Sequence, residues 1–188
     1  EDKNFFEHPG VDARGVTRAV IKNIRNILSD KRLEGASTIT QQVAKNFLLT
    51  NEVSLKRKIK EAILAFRIEK AYSKKRILEL YLNEIYLGKG TYGVASASLE
   101  YFNKSVKELN YEEAALLAAL PKAPSKYNPY KSIDLATKRR NMVLKNLKEN
   151  GYISNKDYKK FTKEKITLNK RKISLIKEAK SFTEEVRR

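Results

Sequence analysis

Residues 54–85 read SLKRKIKEAILAFRIEKAYSKKRILELYLNEI, and this stretch decides the fold class. Apolar side chains recur in it at helical spacing in two runs: Leu55, Ile59, Ala62, Ile63 and Phe66, then Ile77, Leu78, Tyr81, Leu82 and Ile85. A serine that can cap a helix, Ser54 or Ser73, precedes each run. The pattern predicts two consecutive amphipathic helices whose buried faces are these apolar residues.

Helical periodicity also dominates the rest of the chain. Residues 15–29 are predicted to form a basic amphipathic helix, with an apolar stripe made of Val16, Val20, Ile24, Ile27 and Leu28. Asn110 and Glu113 have the spacing of a capping box, at the start of a helix that Pro121 closes. The segment 121–130 holds three of the four prolines and is predicted to be a loop, followed by a last long helix over 134–150. Because no segment alternates convincingly as a strand would, we expect a mainly α fold.

The composition indicates a single basic domain. A chain of 188 residues can bury one hydrophobic core. Lys and Arg number 40 against 22 Asp and Glu, and the net charge of +18 favours nucleic acid, an anionic membrane or a phosphorylated substrate as partner. No cysteine is present for a disulfide or a thiolate metal site, and no apolar run approaches the ~20 residues of a membrane span. We therefore expect a soluble or peripheral piece, truncated at both ends, of a longer protein.

The segment 35–42, GASTITQQ, concentrates hydroxyl and amide side chains. Ser37, Thr38 and Thr40 can each donate and accept hydrogen bonds, as can the amides of Gln41 and Gln42, which suits a sugar or a phosphate. The residues alone also fit the start of a helix, with Ser37 as N-cap and a buried face of Ile39, Val43, Phe47 and Leu48.

Blocks of sequence around this segment carry a resemblance to a known family. They are Glu1-Asp-Lys-Asn-Phe5-Phe-Glu-His8-Pro-Gly10, the hydroxyl segment, Arg57-Lys58-Ile-Lys-Glu61, Lys75-Arg-Ile-Leu-Glu-Leu-Tyr81-Leu-Asn83 and Arg139-Arg-Asn-Met-Val143-Leu144. In order and spacing they resemble the motifs of the family 51 peptidoglycan glycosyltransferases, which polymerise lipid II in bacterial class A penicillin-binding proteins and their monofunctional relatives. The resemblance covers roughly residues 1 to 160.

The resemblance implies a fold, a location and partners. The fold would be a lysozyme-like helical large lobe with a smaller membrane-facing lobe at about residues 11–34, within one glycosyltransferase domain over 1–188. Residues from about 165 to 188 would begin a linker towards a transpeptidase domain in the same chain. The domain would work at the periplasmic, extracytoplasmic face of the bacterial cytoplasmic membrane, with its anchor missing from this fragment. Its partners would be lipid II, the growing glycan strand, the membrane surface and other cell wall proteins, and moenomycin would inhibit it.

The resemblance also implies the chemistry. Glu1 would act as the base that deprotonates the 4-hydroxyl of the acceptor lipid II, and attack on the anomeric carbon would release undecaprenyl diphosphate with inversion. Glu61 would be the second catalytic carboxylate. It lies four residues after Arg57, and a cation on the same helical face suits an orienting role better than that of a proton donor.

The remaining motif residues divide into substrate ligands and scaffold. By resemblance Lys45, Arg57 and Lys58 bind the lipid diphosphate, while Ser37, Thr38, Thr40, Gln41 and Gln42 contact the substrate along the cleft. The predicted scaffold residues are Phe5, His8 and Gly10, which would fix the loop that aims Glu1, together with Tyr81, Asn83 and Arg139. Tyr81 would pack, and Asn83 and Arg139 would make buried polar contacts behind the cleft.

No cofactor is required by this interpretation. A magnesium ion could bridge the diphosphate and Glu61, although no side chains have the spacing of a dedicated metal cage. The sequence departs from the family pattern at Asn51, Glu52 and Val53, where many relatives carry an Arg near the donor phosphates, and Lys56 is the candidate to replace it.

Two other functions compete with this interpretation. A lytic transglycosylase or lysozyme-like enzyme would share the fold type and a single key Glu, but a neutral glycan does not call for clustered cations. A basic helical nucleic-acid-binding protein would explain the net charge, yet no nucleic-acid-binding motif is found, so nucleic acid is not expected as a partner.

Overall fold

A computed structural model describes residues 1–28, 35–48 and 54–169 of the chain. These residues form eight α-helices, one short 3-10 helix and a two-stranded sheet. The helices are α1 (Ala13–Leu28), α2 (Ile39–Leu48), α3 (Leu55–Ala71), α4 (Lys74–Glu84), α5 (Val94–Phe102), α6 (Tyr111–Ala119), α7 (Ile133–Glu149) and α8 (Asn155–Lys163), with the 3-10 turn at Val106–Glu108. The prediction of a mainly helical fold is confirmed.

The predicted helix starts are present at three positions. Ser54 accepts a hydrogen bond from the Arg57 backbone N–H at the start of α3, and Ser73 does the same for Arg76 at the start of α4. Asn110 and Glu113 form the predicted reciprocal capping box of α6. Short-range rules therefore place these boundaries correctly, because each cap satisfies backbone N–H groups that the helix itself leaves unpaired.

Two short strands are present that the sequence pattern did not reveal. Tyr86–Gly88 (β1) pairs antiparallel with Thr91–Tyr92 (β2), directly after α4. Gly88, Lys89 and Gly90 all have positive φ, and the Thr91 hydroxyl donates to the Gly88 carbonyl at 2.7 Å. Strands of three and two residues are too short to show the alternation by which a strand is predicted.

The core lies between the first residues of the chain, α2, α4, the hairpin, α5 and α6. Its fully buried members include Ile77, Leu87, Tyr101, Leu116 and Leu120. The Tyr101 hydroxyl donates to the Leu87 carbonyl at 2.9 Å, which satisfies the polar atom of a buried ring. A smaller cluster of Ala115, Leu144 and Ile153 joins α6, α7 and α8.

The predicted buried face of α3 was also wrong. Leu55, Ile59, Ile63 and Phe66 are 80%, 55%, 49% and 44% exposed, whereas the side of α3 that packs inward carries Glu61 and Ala65. A Cβ at Gly10 would lie only 3.0 Å from the Ala65 backbone. The small residues Gly10 and Ala65 therefore let the N-terminal loop contact the helix on that side, and the larger apolar residues lie on the opposite one.

Other predicted apolar faces are incompletely buried. Val16, Val20 and Ile24 of α1 are exposed, while the side chains of Ile27 and Leu28 lie outside the described residues. In α2, Ile39 and Val43 are buried and Phe47 is exposed; the Leu48 side chain is not among those described. Leu82 of α4 is exposed as well. No helix in the described ranges is long and apolar enough to cross a membrane.

The predicted lobe and linker fall partly outside these ranges. Residues 29–34 of the small lobe and 170–188 of the linker lie outside the described residues, as do Asn51, Glu52 and Val53. The described part of the predicted linker, residues 165–169, packs on the domain: Ile166 and Leu168 contact the main core, and the Asn169 backbone N–H donates to the Tyr101 carbonyl at 3.0 Å.

Candidate active site

The N-terminal loop, residues 1–12, is fixed by hydrogen bonds within it. The Gly10 N–H donates to His8 Nδ1 at 3.1 Å, so the proton of the ring is on Nε2, which lies 3.0 and 3.1 Å from the two carboxylate oxygens of Asp2. The buried Phe5 ring makes an edge contact with His8, with 6.3 Å between ring centroids. Phe5 and Gly10 thus contact His8, and His8 holds the carboxylate of Asp2, the residue next to Glu1.

The loop is attached to the start of α2. Asp2 Oδ2 accepts a hydrogen bond from the Ile39 N–H at 3.0 Å, and the Thr38 hydroxyl donates to the Gly10 carbonyl at 2.6 Å. A carboxylate at a helix N-terminus is favourable because unpaired backbone N–H groups point at it. Asp2 was not singled out from the sequence, although its place beside Glu1 in the first block was a signal.

Thr38, and not Ser37, caps α2. The Gln41 N–H donates to Thr38 Oγ1 at 3.1 Å, and Gln41 Oε1 accepts from the Thr38 N–H at 3.0 Å, which is a complete capping box. Thr38 and Gln41 are buried by these contacts. Both side chains therefore make hydrogen bonds within the protein, and their role as substrate ligands stays a prediction.

Ser37 belongs instead to a cluster around Glu61. Lys58 Nζ lies 2.6 Å from Ser37 Oγ and 2.6 Å from Glu61 Oε2. Arg57 Nε lies 3.2 Å from Glu61 Oε1, as an ion pair that lacks the alignment of a hydrogen bond. Four predicted site residues, Ser37, Arg57, Lys58 and Glu61, thus meet at the start of α3; we call them the Glu61 cluster.

Burial and charge define what the Glu61 cluster can bind. Glu61 is 2% exposed, and its two oxygens face the two cations. The Lys58 side chain is half exposed, and only two of its three N–H donors are used by Ser37 and Glu61. Lys58 can therefore donate to an anion from the solvent side while Glu61 holds it in place.

Thr40 leads to a second network that the sequence did not predict. Its buried hydroxyl donates to Glu69 Oε1 at 2.5 Å, and Lys74 Nζ lies 2.7 Å from the same oxygen. Lys74 also donates to the His8 carbonyl at 2.6 Å and lies 4.5 Å from the centre of the Phe5 ring. Thr40, Glu69 and Lys74 therefore link α2, α3, α4 and the N-terminal loop, and the role of Thr40 as a substrate ligand stays a prediction.

Tyr81 of α4 is buried, and its hydroxyl is unpaired within the described ranges. Glu1, by contrast, is exposed. Burial, with smaller contributions from the charges of Glu1 and Asp2, raises the pKa of the Tyr81 phenol well above its usual range. The Lys75 to Asn83 block and the first block both contribute to the main core, through Tyr81 and Phe5.

The remaining predicted residues lie outside these contacts. Gln42 is half-buried on α2 and Lys45 is exposed in its last turn. Asn83 is exposed, so the prediction of a buried polar contact for it was wrong. Arg139 is half-buried beside the Tyr127 ring. The neighbouring Arg140 makes the buried contacts predicted for Arg139: it donates to the Glu164 and Thr162 carbonyls at 2.7 and 3.3 Å.

Magnesium does not fit Glu61 in this arrangement. Both Glu61 oxygens contact cationic side chains. Across the described ranges, no group of three or more His, Cys, Asp or Glu side chains could hold a metal ion. Any role of a divalent cation would therefore depend on ligands from the substrate, since magnesium is commonly held by phosphate oxygens and water.

Comparison with known proteins identifies relatives of the chain. The family model described as Transglycosylase matches residues 1–148. Penicillin-binding protein 1A of Rickettsia prowazekii is 52% identical over 187 residues, which is 100% of this chain and 24% of that protein. Penicillin-binding protein 1F of Bacillus subtilis is 50% identical over 157 residues, which is 84% of this chain and 22% of that protein.

A solved structure is also similar. The crystal structure of penicillin-binding protein 1A from Haemophilus influenzae has a TM-score of 0.51 and 36% sequence identity, covering 79% of this chain and 18% of that one. The chain thus spans about a quarter or less of the length of these relatives. The mainly helical fold is shared with a known structure.

Proposed function

The chain belongs to the transglycosylase family and corresponds to the transglycosylase domain of penicillin-binding proteins 1A and 1F, and from this premise we propose that it polymerises lipid II. The product would be a β-1,4-linked glycan strand formed with inversion, and undecaprenyl diphosphate would be released. The reaction serves bacterial cell wall synthesis.

The Glu61 cluster is the observation that supports this proposal most directly. It combines the half-exposed ammonium of Lys58 with the guanidinium of Arg57, next to the hydroxyl of Ser37. A diphosphate needs charged donors, and Lys offers a compact charge while Arg offers a planar fork. In our proposal Lys58 and Arg57 bind the donor diphosphate, together with Lys45. Polar contacts along the cleft come from the hydroxyl and amide segment: Ser37, Thr38, Thr40, Gln41 and Gln42.

Glu1 is proposed to be the general base. Its carboxylate takes the proton of the acceptor 4-hydroxyl as that oxygen attacks the anomeric carbon of the growing chain. The bond from the anomeric carbon to the diphosphate oxygen breaks, and the leaving group departs with the electron pair towards the cations. The contacts of Asp2 with His8 and the Ile39 N–H support this role, because they fix the backbone beside Glu1 and leave its own side chain exposed.

The finer architecture and location belong to the same proposal. We propose a lysozyme-like large lobe and a smaller membrane-facing lobe over about residues 11–34, which includes α1. The exposed Val20, Ile21 and Ile24 and the basic Arg14 and Arg18 of α1 support a membrane-facing role. The domain would act at the periplasmic face of the cytoplasmic membrane, in a protein that also carries a transpeptidase domain. The length of the relatives supports this, since the chain spans only 24% and 22% of two of them.

Conversion of lipid II into glycan polymer tests the proposed function. The chain and its Glu1→Gln variant would be compared, with moenomycin as the inhibitor control. Glu7→Gln is the matched variant, because Glu7 is an exposed carboxylate of the same loop. We expect polymer from the wild type, a loss of at least ~10²-fold in Glu1→Gln and little change in Glu7→Gln.

Two results would contradict the proposal. An unchanged rate in Glu1→Gln would remove Glu1 as the base. If the wild type made no polymer but released soluble fragments from purified cell wall, the lytic interpretation would replace the synthetic one.

A further inference from the structure

Helix α3 presents two faces of different chemistry. Glu61 and Ala65 face inward, and Leu55, Ile59, Ile63 and Phe66 face solvent. Ile59 and Glu61 are two positions apart, which places them about 160° from each other around the helix. The apolar residues therefore lie on the side of α3 opposite to the Glu61 cluster, and their exposure has no part in holding that cluster.

The apolar surface continues onto the N-terminal loop. Phe6 is 67% exposed and lines, with Phe66 and Pro9, an open groove of about 330 Å³. The exposed charges on the rim of this groove are Glu7 and Lys70, which offset each other. We call Leu55, Ile59, Ile63, Phe66 and Phe6 the α3 apolar face. Several large apolar residues side by side at such exposure are unusual for a surface in contact with water alone.

One edge of this face is basic. Lys56, Lys60, Arg67 and Lys70 are exposed along α3, and no ion pair involves any of them within the described ranges. At the helical period, Lys56 and Arg67 lie roughly 60° and 80° from Ile59, on the side away from Glu61. Glu69, the other acid of α3, points at Lys74 and Thr40. The exposed arc of α3 thus joins apolar and positive side chains without a carboxylate.

We propose that the α3 apolar face binds an anionic lipid surface, as a membrane contact separate from α1. An apolar stripe inserted at the level of the headgroups, with Lys and Arg beside anionic headgroups, is the arrangement of interfacial helices. A second copy of the chain is a poorer occupant, because two such basic edges would repel each other in a chain of net charge +18. Nucleic acid is also a poorer occupant, because it would bind the basic edge but would leave the apolar residues of α3 exposed to water.

This contact would place the proposed active site at the membrane. Phe6 belongs to the same loop as Glu1, so insertion of Phe6 and Phe66 would hold that loop at the headgroup level. The inference rests on the proposed function for this consequence alone, since a lipid-linked substrate would then meet Glu1 at the surface. The lipid binding itself can be measured without catalysis.

The test is flotation of the chain with phospholipid vesicles. Vesicles of phosphatidylcholine mixed with phosphatidylglycerol would be compared with vesicles of phosphatidylcholine alone. The variant is Ile59→Ser with Ile63→Ser, and the matched control is Ile133→Ser with Met142→Ser, two exposed apolar residues of α7. We expect the partition coefficient for the mixed vesicles to fall by about tenfold or more in the α3 variant and to stay unchanged in the α7 control.

A charge series examines the basic edge. Lys56→Gln with Lys60→Gln would weaken binding to the mixed vesicles by about fivefold for each charge, while the same changes at Lys156 and Lys160 of α8 would have a smaller effect. Far-UV circular dichroism would show that each variant folds. Ile21→Ser with Ile24→Ser measures the contribution of α1 separately.

Several outcomes would overturn the inference. They are an α3 variant that binds like the wild type, a wild type that does not bind the mixed vesicles, and dimerisation that Ile59→Ser abolishes in the absence of lipid. If only the proposed function is wrong, no polymer would form from solubilised lipid II, but the chain would still bind vesicles in a manner that depends on Ile59.

Discussion

The Lys58 ammonium lies 2.6 Å from Glu61 Oε2 on the same helix, at the point where α3 faces the polar segment that begins α2. Lys58 is half exposed and Glu61 is almost fully buried, so one end of this pair meets solvent and the other is held by the protein. The pair can present a positive charge at a fixed position to an anionic substrate.

Removal of that charge is expected to weaken the proposed reaction. Lys58→Gln keeps a donor for Ser37 but loses the ammonium, so we expect kcat/KM for lipid II to fall by about tenfold to 10²-fold. Lys75→Gln, an exposed lysine of α4, is the control and should keep the wild-type value. Equal values for Lys58→Gln and the wild type would exclude Lys58 as a diphosphate ligand.

Thr38 and Ser37 are expected to differ in their effect on stability. Thr38→Val removes the cap of α2 and the hydrogen bond to the Gly10 carbonyl, so the free energy of unfolding should fall by about 1–2 kcal/mol. Among the described residues, the Ser37 hydroxyl accepts a hydrogen bond from Lys58 alone, so Ser37→Ala should leave the urea midpoint nearly unchanged. The reverse order would mean that Ser37 is the cap.

Lys74 is expected to stabilise the loop that carries Glu1. Lys74→Met leaves the largely buried Glu69 without its cation and removes a donor from the His8 carbonyl, which should lower the free energy of unfolding by about 1–3 kcal/mol. Arg76→Met is the control, because its pair with Glu79 is exposed at both ends and should contribute nothing measurable. Equal urea midpoints for Lys74→Met and the wild type would contradict this role.

The sequence predicted the helices better than their contacts. The periodicity of residues 54–72 located α3 correctly, yet Glu61 is buried because Lys58 and Arg57 partner it and because Gly10 approaches Ala65 on that side. That approach joins residues far apart in the chain and is not encoded in the local period.

In the candidate active site, too, local sequence patterns did not reveal contacts between different helices. Family motifs brought Ser37, Arg57, Lys58 and Glu61 together, as the structure does. Glu69 and Lys74 were missed because their spacing of five crosses the turn between α3 and α4 and matches no helical neighbour rule. Arg139 and Arg140 are adjacent in one motif, so the motif does not tell which of them is buried. Arg140 is the buried one, because it donates to the Glu164 and Thr162 carbonyls where α7 packs against residues 162–164.

Asp12 is expected to make stability depend on pH. The Gly15 backbone N–H, with a smaller contribution from the Asn4 amide, holds the pKa of Asp12 below the ordinary 3.8, against the opposing effect of burial. A lowered folded-state pKa gives stability that is present above the unfolded pKa and is lost as the pH falls through the folded one.

Asp12→Asn should therefore reduce the urea midpoint more at a pH of about 7 than at a pH of about 3. Asp134→Asn, in the first turn of α7, is the control. A difference between Asp12→Asn and the wild type that stays constant across this range would show that the charge of Asp12 does not contribute.

Two tyrosines of the core should respond differently to the same substitution. The buried Tyr81 hydroxyl has no partner among the described residues, whereas the Tyr101 hydroxyl donates to the Leu87 carbonyl at 2.9 Å. An unpaired buried hydroxyl costs about 1–3 kcal/mol, so Tyr81→Phe should leave the free energy of unfolding unchanged or raise it. Tyr101→Phe should lower it by about 1 kcal/mol, because the Leu87 carbonyl then loses its donor.

The variants Tyr81→Phe and Tyr101→Phe also test whether the Tyr81 hydroxyl has a structural or a catalytic role. If Tyr81 only packs in the core, Tyr81→Phe keeps the ring and the rate of lipid II polymerisation should stay within about threefold of the wild type. A larger loss of kcat in a variant that is as stable as the wild type would give the hydroxyl a role in the reaction. Urea unfolding and polymerisation rates of Tyr81→Phe and Tyr101→Phe, measured side by side, distinguish these cases, since Tyr101 donates away from Glu1 to the hairpin.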